Sequence, residues 1–448
     1  MSLSESDVRD VFKTAFGAAT ANDVELSMAW YNEQNREIVC GVTNVIRFSN
    51  NYIRDHTHVR PCYPLTVKVA FGNREALAIT NRLDRNSIVD AVRRAEAVAR
   101  AARPTTDHRP VLGPQKYPVI AGYDARTAGL TAEERYQHVA VVLDRLQREK
   151  LNGSGYFHVD DTLEAHVTSA GLWFYRRATK TGYTVTVRSD STTGRESSRI
   201  GSGWAGIGDM RRVDDVDIES LTAIAIDKAR RSMNPQPFEM GAYTVILEPA
   251  VTAGFVRQLL GLISGSSVAV DQWGAPGRVG EKRASERLTV RSKPDHPLIM
   301  ASPYGHRGHP AREAIWIEKG IVRNLPGGEA GPAEHLVVDG SSRPIEALVA
   351  DLKRGVLVTQ AGGSLRDLAA GYVNGVTKNG LFLIENGKVT TPLKNAWYRV
   401  RIEDVLGQIE DISKPYKTAL FGSEGLDGNV MPAIRVANFS FYRPSDAV

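Results

Sequence analysis

The sequence predicts an α+β protein built from two domains. Three observations carry this reading. The first ~230 residues mix amphipathic helical patterns with alternating strand-like runs. A stretch of linker composition, Asn234-Pro-Gln-Pro-Phe238, follows them. Beyond it, short apolar runs are separated by Gly, Pro and Asn turns. The expected organisation is an N-terminal α/β domain over residues 1–233, with a mixed sheet and helices. A C-terminal β-rich domain over residues 241–448 then carries a rolled or barrel-like sheet packed on a central helix. At 448 residues the chain exceeds one ordinary core, in keeping with two.

Residues 4–18 place Val8, Val11, Phe12 and Phe16 on one helical face, with Ser4 in position to cap it. Strand-like runs follow at 24–32, 36–48 and 65–71, the last ending at the turn pair Gly72-Asn73. Residues 86–102 read as a helix with Ile88, Val89, Val92, Ala95, Val98 and Ala99 inward, capped by Ser87 and closed by Pro104. A second helix over 131–151 opens on Thr131-Ala-Glu-Glu134, which has capping-box spacing, and ends at Gly153 and Gly155. Strands are expected at 157–159, 172–179 and 183–189, a Gly/Ser/Asp-rich loop at 191–217, and a helix at 218–233.

In the second half, the run 243–247 reads as a strand ending at Glu248-Pro249. Val256, Leu259, Leu260 and Ile263 then mark the inward face of a helix. Further strands are expected at 314–318 before Lys319-Gly320, and at 355–359, 381–385 and 397–402. Asn386-Gly387 is the strongest hairpin signal in the chain.

Charged residues make up 24% and hydrophobic residues 42%, the balance of a folded chain rather than a disordered one. No run approaches 18 apolar residues, so no membrane span is expected. The opening segment MSLSESDVRDVFKTAF has acids and no apolar stretch, unlike a secretory signal. Cys40 and Cys62 are the only cysteines, too few for a disulfide framework, which points to a reducing cytoplasm. The formal charge of +5 is dispersed over pairs such as Arg93-Arg94, Arg176-Arg177, Arg211-Arg212 and Arg230-Arg231. Nucleic acid is not an expected partner, because no basic stripe with interleaved aromatic residues is present.

Gly201-Ser-Gly203-Trp-Ala-Gly206 matches G-x-G-x-x-G in form only. A dinucleotide fingerprint needs a strand before it and a helix starting inside it, and the flanking residues suggest neither. No bound cofactor is expected from it. His306-Arg-Gly-His309 and His56-Thr-His58 are the tight histidine pairs, and neither has the third and fourth donors that a metal site takes. Neither HExxH, a G-x-S-x-G elbow nor a Walker sequence occurs.

Several segments, in order, resemble the TldD/PmbA family. They include Thr80-Asn-Arg-Leu-Asp84, Gly241-Ala-Tyr-Thr-Val-Ile-Leu-Glu-Pro249 and Ile315-Trp-Ile-Glu-Lys-Gly-Ile-Val322. The most specific are Ala350-Asp-Leu-Lys-Arg-Gly-Val-Leu-Val-Thr359 and the run from Gly380-Leu-Phe-Leu-Ile-Glu-Asn-Gly387 to Asn395. The resemblance implies a two-domain protein that pairs with another family member around a peptide-binding cavity. It also carries the older family label "modulator of DNA gyrase".

In zinc-bearing members of that family the helix after the 241–249 segment carries His-Glu-x-x-x-His, with a third ligand from a C-terminal cysteine. The same register here reads Arg257-Gln258-Leu259-Leu260-Gly261-Leu262, and Phe421 stands in the cysteine's segment. Arginine is cationic, leucine and phenylalanine have no donor atom, and an amide is not a base. The resemblance therefore implies a PmbA/TldE-like subunit with no catalytic or metal-binding residue of its own. Arg257, Gln258, Leu262 and Phe421 become markers of a cavity wall. Zinc would belong to a TldD-like partner, with which this chain forms a heterodimer acting on peptides. Two alternatives are a stand-alone homodimer that holds a peptide or small ligand, and a metallohydrolase with atypical donors, His306 and His309 foremost.

Overall fold

The structure is a computed structural model. It describes residues 3–29, 31–33, 36–38, 40–49, 52–55, 62–106, 108–189, 200–264, 277–327, 330–367, 371–419 and 428–446. The first half runs α1 (Glu5–Ala18), β1 (Asp23–Met28), β2 (Tyr31–Glu33), β3 (Arg36–Ile38), β4 (Gly41–Ser49), β5 (Tyr52–Asp55), β6 (Leu65–Phe71) and β7 (Arg74–Thr80). It continues through α2 (Arg85–Ala101), α3 (Ala125–Ala128), α4 (Ala132–Arg148), β8 (Asn152–Thr168), β9 (Trp173–Arg188), β10 (Ser202–Met210) and α5 (Ile218–Arg231).

The helix starts follow local chemistry. Ser4 and Asp7 close a capping box on α1, and Thr131 and Glu134 close one on α4. At α2 the cap is Asp84 rather than the expected Ser87, whose amide donates to Asp84 Oδ1 at 3.1 Å. Asp84 wins because a carboxylate at the N-cap meets both the free amides and the positive end of the helix dipole.

Strands β10-β9-β8-β1-β6-β7 lie side by side in an eight-stranded sheet, with β4 on β8 and β5 on β4. Every described pairing in it is antiparallel, which corrects the expected mixed sheet. Pairs joined directly, such as β6–β7 and β8–β9, need no crossover helix. The two short strands expected around 157 and 183 are parts of β8 and β9, which pair from Asn152↔Arg188 to Val167↔Trp173. Gly153 and Gly155 lie inside β8, not at a helix end: a Cβ there would strike Leu146 and Thr184 O.

Helices α1 and α2 bury Val8, Phe12, Ile88 and Val92 against β1, β6 and β7. Helices α4 and α5 bury Val139, Val142, Ala225 and Ile226 against β8, β9 and β10. All four cover the same face of the sheet, because strand side chains alternate. The segment expected to be a loop contains β10, which lies on α5. A Cβ on Gly203 would collide with Ala225 O and Ala229 N, and one on Gly201 with Ala229 O. The glycine spacing thus serves close strand–helix packing.

The second half runs β11 (Gly241–Leu247), α6 (Pro249–Leu262), β12 (Val290–Ser292), β13 (Ala314–Glu318), β14 (Ile321–Val322), β15 (Leu336–Val338) and α7 (Ile345–Ala350). It continues with β16 (Arg354–Val358), β17 (Ala361–Asp367), β18 (Tyr372–Thr377), β19 (Leu381–Glu385), β20 (Lys388–Leu393), β21 (Ala396–Arg401), α8 (Ile402–Gly407), β22 (Ile409–Ala419) and β23 (Gly428–Pro444). These strands form one thirteen-stranded sheet whose main path is β14-β13-β12-β15-β23-β11-β16-β19-β20. The sheet is branched and open rather than barrel-closed, since β23 also carries β21 and β22. Two pairs, β11–β16 and β15–β23, are parallel. Asn386 and Gly387, at φ 48° and 76°, make the expected tight turn between β19 and β20. The central-helix expectation holds: Phe255, Val256, Leu259 and Leu260 of α6 share a core with Tyr398, Met431 and Phe439.

Candidate functional site

The face of the first sheet opposite its helices is polar. Along β8 it presents His158, Asp160, Thr162, Glu164, His166 and Thr168, every second residue, while Phe157, Val159, Leu163 and Ala165 enter the helix-covered cores. Directly opposed residues of antiparallel strands share a face. Lys180 therefore stands beside Asp160 and Arg176 beside Glu164 on β9, and Ser27 beside His166 on β1.

The second half packs onto this strip. Ser302 donates to Glu164 at 2.5 Å, and Tyr304 stacks on His166 with ring centroids 3.7 Å apart. Lys417 Nζ donates to Leu298 O at 2.7 Å and lies 3.4 Å from Asp209 O. Lys180 pairs with Asp209 at 3.1 Å.

Burial sets the electrostatics here. Loss of water pushes Asp160 up to about 7 and His158 down to about 4. The same cause brings Lys417 down to about 8. Among the described residues, both ring nitrogens of His158 and of His166 lack a hydrogen-bond partner, as do Asp160 Oδ1 and Nε and Nη2 of Arg176. His166 Nε2 lies 3.4 Å from Glu164 Oε1, so the strip's charged groups face one another with little access to water. None of these residues was singled out in the sequence. The available signal was a polar residue at every second position from His158 to Thr168, interrupted on the other face only by Asp161, which a strand would place on one face.

Strand β11 delivers the chain to Glu248, the N-cap of α6, with Pro249 at the first helical position. Glu248 takes Lys228 Nζ of α5 at 2.6 Å, an ion pair between the two halves. Along α6 only Gly254, Arg257, Gln258, Gly261 and Leu262 escape full burial. Three of the predicted site residues are thereby brought to the helix's open side, where Arg257 is exposed. Gln258 Oε1 is buried with no hydrogen-bond partner among the described residues, and Leu262 packs near Gly371. Phe421 lies outside the described residues, as do His56 and His58.

His306 and His309 flank Arg307, which is held at φ 55°. Both line a cavity of about 340 Å³ with Arg109, Arg307, Arg312 and His335. Burial, then Arg307, His309 and Arg109, lower the His306 pKa. Guanidinium groups around the imidazoles favour an anion over a metal cation. Among the described residues no three His, Cys, Asp or Glu side chains gather in a way that could hold a metal.

Residues 240–327 and 328–443 match the PmbA/TldA metallopeptidase C-terminal domain. The chain belongs to the TldD/PmbA family. Two curated relatives are named metalloproteases. One, from Methanothermobacter thermautotrophicus, is 22% identical over 256 residues, which is 51% of this chain and 55% of the relative. The other, from Methanocaldococcus jannaschii, is 24% identical over 237 residues, 48% of this chain and 52% of the relative. The match thus spans about half the length of each of them.

Crystal structures share the fold over nearly the whole chain. TldE from Thermococcus kodakarensis superimposes with a TM-score of 0.79 at 19% identity, covering 97% of this chain and 99% of that one. A proposed modulator of DNA gyrase from Thermotoga maritima gives 0.79 at 15% identity, covering 98% and 100%. One from Bacteroides thetaiotaomicron gives 0.78 at 16% identity, covering 98% of each chain.

The TldD/PmbA resemblance implies zinc at α6, and the residues there do not fit it. The register that the resemblance assigns to two imidazoles and a carboxylate holds a guanidinium, an amide and an alkyl chain, and zinc takes imidazole, thiolate or carboxylate donors. No catalytic step through a metal follows from this chain's α6. Among the described residues no helix is long and apolar enough to cross a membrane.

Proposed function

We propose that this chain is the metal-free member of a two-subunit peptidase of the TldD/PmbA family. It pairs with a relative that keeps His-Glu-x-x-x-His and helps to shape the cavity that receives an extended peptide. One observation carries the reading: the open side of α6 survives as a surface, with Arg257, Gln258 and Leu262 on it, while its donor atoms are gone. The fold shared with TldE over 97% of the chain supports it. Cys40 and Cys62 are both free thiols, which suits a reducing cytoplasm.

The test is co-expression with a zinc-bearing relative. The expected result is a stable complex that cleaves a denatured peptide substrate only when both chains are present. Arg257→Ala/Gln258→Ala should lower cleavage while leaving the melting temperature of this chain within about 2 °C. A relative that cleaves fully alone and does not bind this chain would overturn the proposal.

A further inference from the structure

Strand β7 ends the first sheet and, among the described residues, pairs with β6 alone. The two-residue turn Gly72-Asn73 joins the two strands, which makes Phe71↔Arg74 a hydrogen-bonded pair. Alternation then turns the backbone groups of Arg74, Ala76, Ala78 and Thr80 toward β6, and those of Glu75, Leu77 and Ile79 outward. Two contacts agree with this polarity. Arg94 Nη2 donates to Ile79 O at 3.4 Å, and the Thr105 amide donates to Asn73 O at 2.8 Å. Between these two contacts lies an open ladder, the amides of Glu75, Leu77 and Ile79 with the carbonyls of Glu75 and Leu77.

An exposed edge invites pairing with another chain, and proteins ordinarily blunt it with proline, a bulge, shortness or a covering segment. Other edges of this molecule follow that rule. Strand β14 has two residues, β20 carries Pro392 and accepts from the Gln236 amide, and β22 carries Pro415 and accepts from the Ser341 amide. Strand β7, Arg-Glu-Ala-Leu-Ala-Ile-Thr, has no proline, no lysine and no register shift against β6. At its midpoint Leu77 is 57% exposed.

We infer that β7 is a homodimer interface, at which two copies of this chain pair antiparallel about a twofold axis through Leu77. The strand is complementary to itself in that register. Leu77 meets Leu77 of the second copy, and Glu75 meets Ile79, so outward groups face outward groups and each pair exchanges both of its bonds. Arg94 yields Ile79 O and keeps Asp90 at 2.8 Å. The charged residues Arg74 and Glu75 stand at one end of the strand and uncharged Ile79 and Thr80 at the other. Antiparallel copies therefore bring no like charges together, whereas a parallel pair would set Glu75 beside Glu75. On the helix-covered face Ala76 meets Ala78, small side chains that leave room for α2 of each copy. The edge belongs to the first half and the open side of α6 to the second, so the inference is independent of the pairing proposed above.

Sedimentation equilibrium of the purified chain tests it, and a concentration-dependent dimer is expected. Leu77→Pro should weaken that dimer by about tenfold or more. It removes an outward amide and no bond to β6, so the fold should persist, as a melting curve checks. Leu77→Cys supplies a second readout that does not depend on the proline. A hydrogen-bonded pair on the axis sets the two Cα atoms about 5.5 Å apart, within disulfide reach. Oxidised glutathione should therefore cross-link this variant to a dimer on a non-reducing gel. The wild type, and Val141→Cys at a position on α4 that is 50% exposed, should stay uncross-linked. A monomer at every concentration up to about 100 μM overturns the inference. So does a dimer that Leu77→Pro leaves intact, or cross-linking no greater at Leu77 than at Val141. A complex with the zinc-bearing relative that Leu77→Pro abolishes would give the edge to that partner and also overturn it. A chain that pairs with the relative but never with itself would sink the homodimer and leave that pairing standing.

Discussion

Tyr304 lies flat on His166, its ring plane inclined by only 6° to the imidazole at 3.7 Å between centroids. One residue comes from the β12–β13 connection of the second half and the other from strand β8, so the pair joins the two halves through a contact neither could make alone. Tyr304 also meets Phe174 at 5.2 Å and Tyr117 at 5.7 Å. Truncation by Tyr304→Ala removes all three ring contacts and is expected to cost about 2–4 kcal/mol. Tyr304→Phe keeps them and should cost much less. Urea denaturation of the two variants measures the difference.

Gly203 and Gly254 should respond to the same substitution in opposite directions. Gly203→Ala drives a methyl group into the α5 backbone at Ala225 and Ala229, which cannot swing aside. A loss of about 2–3 kcal/mol is expected. At Gly254, within α6, a Cβ meets nothing within 4 Å. Gly254→Ala should therefore stabilise the chain by about 0.5–1 kcal/mol through helix propensity and unfolded-state entropy. Thermal melts of the pair, run side by side, decide it.

The Lys228–Glu248 pair crosses between α5 and the start of α6, with side chains only 17% and 19% exposed. Glu248→Ala strands a largely enclosed ammonium and should cost about 1–3 kcal/mol. Lys228→Met combined with Glu248→Leu removes both charges and should lose less than the single change. A double-mutant cycle in urea reports the coupling.

Stability should depend on pH through two buried groups with opposite signs. His158, facing Asp209 and Lys180, falls from 6.5 to about 4 on folding. Its contribution is complete above pH 6.5 and is lost as the pH drops through 4, a change of about 3 kcal/mol. Asp160 rises from 3.8 to about 7, so its contribution is complete below 3.8 and is lost as the pH rises through 7. His158→Phe should flatten the acid limb of a melting-temperature profile, and Asp160→Asn should flatten the neutral limb. Parallel profiles for wild type and variants would contradict the burial of these groups.

Local signals were legible where one residue's chemistry settles the geometry. The cap at Ser4, the capping box at Thr131 and the turn at Asn386-Gly387 stand where the sequence places them. The chemistry of Arg257, Gln258 and Leu262 was equally plain, since none offers an imidazole, thiolate or carboxylate donor whatever the fold around it. Misreadings arose where partners distant in the chain decide. Gly153, Gly155 and Gly203 look like loop residues until the helix or strand that presses on each is in place. The length of β8 depends on β9, β4 and β1 pairing along it.

By itself, the sequence determined the presence of the long helices, the Asn386-Gly387 turn, the α+β class and the side-chain chemistry of Arg257, Gln258 and Leu262 on α6. These follow from backbone preferences and functional groups, which act over a few residues. Only the tertiary structure decided that the even-numbered residues of β8 face the second half, that Tyr304 covers His166, and that Arg109 and Arg307 line two adjoining cavities. Charge complementarity and burial are properties of surfaces assembled from segments more than a hundred residues apart, such as Glu25, Glu164 and Arg312. A linear pattern can show that such residues are polar, but not what they face.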